Sequence, residues 1–261
     1  MSEPMFPTLD EALTRLASTE HLLVALDFDG TLAPFVDNPE ESRAIPEARD
    51  AVARLLEVSH TTVAFVSGRA VDSLSRASES PDGILLVGSH GAEYRFDGVD
   101  THPPLSDGDR ARVATLSGVL AVVSSEHPGT WVEAKPAGFA LHTRGLPDEL
   151  ELAANEAARR AVADANLQVK VRDGKDVIEF SILSVTKGDA LRHLRDYTGA
   201  TAVLYAGDDV TDEDGFAALG EGDLSLKCGP GDTVANYRVA SPADVAAVLA
   251  TLAQERAATG R

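Results

Sequence analysis

The sequence predicts an α/β protein in which helices pack on a parallel sheet and a separate α+β unit is inserted into the chain. Short apolar runs end abruptly in polar or glycine-rich sequence: His21–Asp27 (HLLVALD), Thr61–Val66 (TTVAFV), Ile84–Val87 (ILLV) and Ala202–Ala206 (AVLYA). Runs without polar alternation mark strands buried on both faces. Helical spacing lies between them, as in Pro46–Val58, where Pro46 suits a first helical position. Strand, helix, strand in succession means parallel pairing through right-handed crossovers. Composition agrees: apolar residues reach 44% but aromatics only 5%, which favours helices on a sheet over a β-sandwich.

The middle of the chain has another rhythm. After His102-Pro103-Pro104 a helical stretch runs to about Glu126, and strands follow near Thr130–Glu133 and Phe139–Arg144. A helix over Asp148–Ala163 precedes strands at Gln168–Arg172 and Val177–Ile182, with Asp173-Gly174 as the hairpin signal. This αββαββ pattern places an inserted domain at 104–182 and a core at 1–103 and 183–261. The last residues, QERAATGR, are expected to fray. No run approaches the ~20 apolar residues of a membrane span, and MSEPMFPTLDEALTRL lacks a secretory pattern. Cys228 is the single cysteine, so no internal disulfide forms. A soluble, cytoplasmic monomer is expected. The net charge of -19 argues against a nucleic-acid partner, and any phosphorylated ligand must be attracted locally, by a few cations and a metal.

The polar clusters follow the strands, where open α/β sheets bind ligands. Asp27-Phe28-Asp29-Gly30-Thr31 sets two carboxylates just past a buried strand, and Gly30 permits the turn that aims both at one pocket. By itself this could be a capping or cation-binding loop. Gly207-Asp208-Asp209-Val210-Thr211-Asp212-Glu213-Asp214 follows another strand, and could be an acidic helix start. Brought to one sheet edge, the two groups repel. Each pair at ~4 Å costs about 4 kcal/mol at an effective dielectric near 20. A divalent cation relieves this, and hard oxygen ligands favour Mg²⁺. Ser67-Gly68-Arg69 offers a hydroxyl and backbone N–H groups at an expected helix start, a phosphate seat. Lys187, an ordinary solvated lysine in another context, lies where the inserted unit rejoins the core.

In this order DFDGT, Ser67 with SGR, Lys187 and GDDVTDED resemble the haloacid dehalogenase superfamily of aspartate-nucleophile phosphatases. The resemblance spans most of the chain and implies a Rossmann-like core with an inserted cap. It also implies Asp27 as nucleophile, forming an aspartyl-phosphate, and Asp29 as the acid that protonates the leaving oxygen, then as the base that activates water. That role asks for an Asp29 pKa raised by crowding among carboxylates. Mg²⁺ would sit on Asp27, the Asp29 carbonyl and Asp208, with Asp209 and Asp212 left as direct or outer partners. Ser67 and Lys187 would hold the phosphoryl oxygens.

Closer still, the chain resembles the trehalose-6-phosphate phosphatase family. Gly88-Ser89-His90-Gly91-Ala92-Glu93 is similar to its GxHGxE segment, Glu133-Ala134-Lys135 to its ExK motif and Val177-Ile178-Glu179 to its VxE element. Ala140-Leu141-His142-Thr143-Arg144 is similar to its HYR motif, with Thr143 in place of Tyr. The resemblance implies a small-molecule substrate, trehalose 6-phosphate. Phosphate and sugar contacts would come from Ser67, Gly68, Arg69, His90, Glu133, Lys135, His142, Arg144 and Glu179. Alternation places Glu133 with Lys135 on one strand face and His142 with Arg144 on one face of the next, Thr143 facing away. Their plain alternative is an exposed sheet face with ion pairs such as Glu133–Arg144. His90 could be a structural histidine, and Trp131 reads as cap packing. Cap closure is expected, with hinges near Pro103-Pro104 and Leu183-Ser184. Competing functions are another sugar-phosphate phosphatase (sucrose phosphate or hexose phosphate), a phosphomutase and a catalytically silent sugar-phosphate sensor. Intact Asp27, Asp29 and Lys187 disfavour the sensor.

Overall fold

Five consecutive apolar residues, Leu22–Leu26, leave this strand (β1) no polar face, and all five are buried. Leu22, Val24 and Leu26 pack on one side with helices α1 (Leu9–Ala17), α2 (Pro46–Leu56) and α8 (Pro242–Ala258). Leu23 and Ala25 pack on the other with α6 (Lys187–Thr198) and α7 (Val210–Ala217). Period-two side chains thus feed two helical layers from one strand. The strands β2 (Thr61–Val66) and β10 (Ala202–Gly207) flank β1 in parallel. Outside β2 lie β3 (Leu85–Gly88), then β4 (Glu93–Phe96) and β5 (Val99–Thr101), an antiparallel hairpin at the edge. Outside β10 lie β11 (Leu224–Cys228) and β12 (Tyr237–Val239). Helix α3 (Val71–Ser78) follows β2.

The computed structural model describes residues 7–36, 38–103, 105–135, 137–174 and 176–260. It forms two compact units, Met1–Thr101 with Val185–Arg261, and His102–Ser184. In the second unit an antiparallel sheet runs in the order β6 (Trp131–Lys135), β7 (Gly138–His142), β9 (Val177–Ser181), β8 (Lys170–Gly174). Leu141, Ile178 and Phe180 face α4 (Asp107–Glu126) and α5 (Asp148–Asp164), meeting Leu116, Leu120, Val123, Ala158 and Val162. The alternate residues form the opposite, polar face.

Some local expectations are corrected. Asp173 and Gly174 are not a hairpin turn: they pair inside β8 with Ile178 and Val177. Most of the C-terminal stretch expected to fray is helical: α8 continues to Ala258 and Arg256 is fully buried, while Arg261 lies outside the described residues. Helix α3 starts at Val71, two residues beyond Ser67-Gly68-Arg69. Of the expected hinges, Pro103, Leu183 and Ser184 lie in irregular chain; Pro104 is outside the described residues, as are residues 1–6 of the N-terminal stretch. Among the described residues no helix is long and apolar enough to cross a membrane.

Candidate active site

The parallel register brings Leu26 beside Ala206, so the residues that follow them leave the sheet side by side. Asp27, which donates its amide to the Ala206 carbonyl (2.9 Å), and Asp208 therefore emerge together. Gly30 makes the turn at φ 82°, and a Cβ there would lie 2.2 Å from Asp208 Oδ2. Only glycine lets the first loop pass the second carboxylate. Thr31 Oγ1 lies 3.4 Å from Asp27 Oδ2 and 3.3 Å from Asp208 Oδ1.

Lys187, the first residue of α6, is buried with its Nζ 2.6 Å from Asp27 Oδ1 and 2.7 Å from Asp212 Oδ1. Tyr205 also donates to Asp212 Oδ1 (2.5 Å), and the amides of Asp208 and Asp209 donate to Oδ2 (2.9 and 2.8 Å). A carboxylate has roughly four acceptor positions, and Asp212 uses its full set on the protein. Oxygens of Asp27, Asp208 and Asp212 lie within 4.8 Å of one another. Burial raises the Asp27 carboxyl well above the usual range, Lys187 opposing and Asp212 reinforcing. Burial, then Asp212, pushes Asp208 up to about 6. Lys187 pairs with Asp27 and Asp212 but not with Asp208, and hard oxygen donors short of positive charge fit a divalent cation.

The carboxylates gathered together here are Asp27, Asp208 and Asp212. Asp29 takes Arg69 bidentately (Nε to Oδ2 2.6 Å, Nη2 to Oδ1 2.7 Å) and the Ser42 hydroxyl on Oδ1 (2.7 Å). Ser67 is buried at the end of β2 and accepts the Arg69 amide (3.2 Å). The GSHG loop is stitched to this one: the His90 amide donates to Ser67 O and the Ser89 amide to Arg69 O. A Cβ on Gly68 would come 2.7 Å from the His90 ring. Ser89 and His90 both sit in left-handed backbone, φ 48° and 57°. Glu93 receives the Val71 amide (3.0 Å), supplying the start of α3 with a carboxylate.

On the polar face of the second unit, Glu133, Ala140, Glu179 and Arg172 are successive cross-strand partners in one row. Glu133 accepts Lys135 Nζ (2.7 Å) and pairs with His142 Nε2 (2.8 Å). Burial raises its carboxyl, but these two hydrogen bonds outweigh that and lower it. Arg144 is not on this face beside His142: β7 ends at His142, and Arg144 lies in the exposed turn closed by the Leu146 amide on Thr143 O. Nor does Glu133 pair with Arg144. Trp131 is 46% exposed and stacks on His142 (centroids 4.7 Å, planes 5° apart), a surface position instead of packing inside the unit.

Residues 25–243 match the trehalose-phosphatase family model. The chain belongs to the trehalose-phosphatase family. It is 34% identical to the Escherichia coli trehalose-6-phosphate phosphatase over 84% of this chain and 82% of that protein. It is 32% identical to the Thermoproteus tenax bifunctional trehalose-6-phosphate synthase/phosphatase, covering 89% of this chain but spanning only 32% of that longer protein. A crystal structure of a trehalose-6-phosphate phosphatase related protein is 25% identical with TM-score 0.68, covering 91% and 99% of the two chains. A Bacillus subtilis haloacid dehalogenase-like hydrolase shares the fold (TM-score 0.57, 17% identity, 88% and 98% covered).

Within this trehalose-phosphatase fold the sequence reading missed Ser42, Tyr205, Lys227 and the helix-capping role of Glu93. Lys227 is buried in β11 and donates to the Asp208 carbonyl. Two of these left a trace: a tyrosine in AVLYAG and a lysine in LSLKC are polar intrusions into buried strands. Ser42, in a loop of mixed residues, left none.

Proposed function

We propose that this protein hydrolyses trehalose 6-phosphate to trehalose and phosphate, with Mg²⁺, through a phosphoryl group carried on Asp27. The observation that carries this reading is the buried Asp27 at the tip of β1, bonded to Lys187 and grouped with Asp208 and Asp212. A nucleophilic carboxylate must be oriented and shielded from water, and this one is. As an Asp27 oxygen bonds to phosphorus, the bond from phosphorus to the sugar oxygen breaks, and Asp29 gives that oxygen its proton. Asp29 then takes a proton from water, whose oxygen attacks phosphorus and frees the Asp27 carboxylate and inorganic phosphate. Lys187 aligns Asp27, and with Ser67 and the loop of Gly68 and His90 serves the phosphoryl oxygens.

Asp27, the Asp29 carbonyl and Asp208 would hold Mg²⁺, which neutralises charge on the phosphoryl group when bound. Asp212 has its acceptor positions filled, so its part is to fix Lys187 and the Asp208 loop from behind. Arg69 serves Asp29, not the phosphate. On the 102–184 unit, the cap in this reading, Glu133, Lys135, His142 and Glu179 present the mixed donors and acceptors that read sugar hydroxyls; the exposed Arg144 is a peripheral contact. Cys228, the one cysteine, is free and buried, which suits a cytoplasmic protein.

Phosphate release measured on trehalose 6-phosphate, glucose 6-phosphate and sucrose 6-phosphate, with and without Mg²⁺, tests the reading. Metal-dependent turnover should be fastest on trehalose 6-phosphate. Preference for either other sugar removes the substrate assignment, and full activity in chelator removes the metal.

A further inference from the structure

The Asp29 carboxylate is held unevenly. Oδ1 receives two donors, Ser42 Oγ and Arg69 Nη2, both at 2.7 Å. Oδ2 receives one, Arg69 Nε at 2.6 Å. Of roughly four acceptor positions on a carboxylate, the one left over is on Oδ2. Arg69 is itself fixed, its Nη1 on Ser73 Oγ (3.3 Å). Ser42 is fully buried, follows the 3-10 turn Pro39–Glu41, and has its carbonyl tied by Arg43 (2.7 Å). A serine hydroxyl has a single proton to donate, and this one is committed to Asp29.

We propose that Ser42 is a positioning residue for proton transfer: by closing Oδ1 of Asp29 it sends the transferred proton through Oδ2. This rests on the reading of Asp29 as acid and base. In the first step the Oδ2–H proton goes to the sugar oxygen as the bond between that oxygen and phosphorus breaks. In the second, a water proton returns to Oδ2 as the water oxygen bonds to phosphorus. Without Ser42 each oxygen keeps one Arg69 bond and one open acceptor position, so either can carry the transferred proton.

The test compares leaving groups, because nitrophenolate departs without a proton and a sugar alkoxide does not. Ser42→Ala should lower kcat on trehalose 6-phosphate about tenfold, the scale of one hydrogen bond to a charged group, with KM nearly unchanged. The pre-steady-state burst from p-nitrophenyl phosphate, which reports phosphorylation of Asp27 alone, should fall less than about twofold by the same argument. Ser42→Thr, which keeps the hydroxyl, should restore the sugar-phosphate rate. Equal losses on the two substrates, with a lowered unfolding temperature, would mark Ser42 as packing and overturn the proposal; so would no loss at all, or failure of Ser42→Thr. Asp29→Ala separates the two layers of inference. If Asp29→Ala slows burst and sugar-phosphate turnover alike, the acid–base reading itself fails. If only Asp29→Ala discriminates between leaving groups, Asp29 stands and Ser42 falls.

Discussion

Lys187 sits between two buried carboxylates, and the attraction of Asp27 and Asp212 outweighs the burial that would discharge it, holding its ammonium pKa high. Lys187→Met leaves both acids buried without their cation, which costs about 3–5 kcal/mol. The denaturant midpoint should drop accordingly, and phosphatase activity should vanish with it. Gly30→Ala makes a different demand. The new methyl must occupy space held by Asp208 in a backbone conformation that disfavours it, so Mg²⁺ titration should show weakened binding while the circular dichroism spectrum is retained. Asp27→Asn should remove turnover, at least about 10⁴-fold given a lost nucleophile, with the unfolding midpoint unlowered, since a neutral amide suits a buried site. At this scale the sequence was readable where charge broke out of an apolar strand. Asp27 and Asp208 were found that way, and Lys187 by its place where the inserted unit rejoins the core. The partner of Asp29 was not: Arg69 reaches it from 40 positions away, and the sequence carries no trace of which carboxylate a guanidinium will choose.

The central strands followed from apolar runs because a parallel sheet needs them, and β1, β2, β3 and β10 were all legible; their order was not. The edge elements were not. β5 is exposed throughout and β12 is three residues long, so neither carries a run to detect. The end of α8 shows why a polar tail misleads. Arg256 Nη1 donates to the carbonyls of Ala17 (3.2 Å) and Thr19 (2.9 Å), Nη2 to His60 (2.7 Å), and Nε to Thr61 Oγ1 (2.7 Å). A cation thereby meets the last turn of α1 and the loop before β2, which favours it through the helix dipole. Arg256→Met would strand several buried carbonyls, at a cost of about 3 kcal/mol or more. A lowered unfolding midpoint with unchanged KM would confirm the purely structural role; a changed KM with an unchanged midpoint would refute it.

Across the whole molecule, a net charge of -19 repels a phosphorylated substrate at long range. Salt should therefore raise kcat/KM on a sugar phosphate as the screening length falls from about 30 Å at 0.01 M to about 8 Å at 0.15 M. A decrease over that range would place a locally positive funnel in control instead. Protons act at the site more directly. Asp208 is raised from its ordinary value to about 6 by burial and by Asp212. In the metal-free protein its protonation therefore stabilises the fold fully below about 4, and that contribution is lost as pH rises through about 6. Metal and proton compete for the same oxygens, so the rise in unfolding temperature given by Mg²⁺ should shrink between pH 7 and pH 5.

The pairing of β1 with β10 joins residues 22–26 to residues 202–206. On a growing chain the first strand is made roughly 180 residues before its neighbour, a delay on the order of ten seconds at ribosomal speeds. Throughout that interval its leucines have no second flank, and Asp27 has neither Lys187 nor Asp208 beside it. The nascent polypeptide must keep a sticky, half-built sheet from wrong partners until translation delivers the missing side.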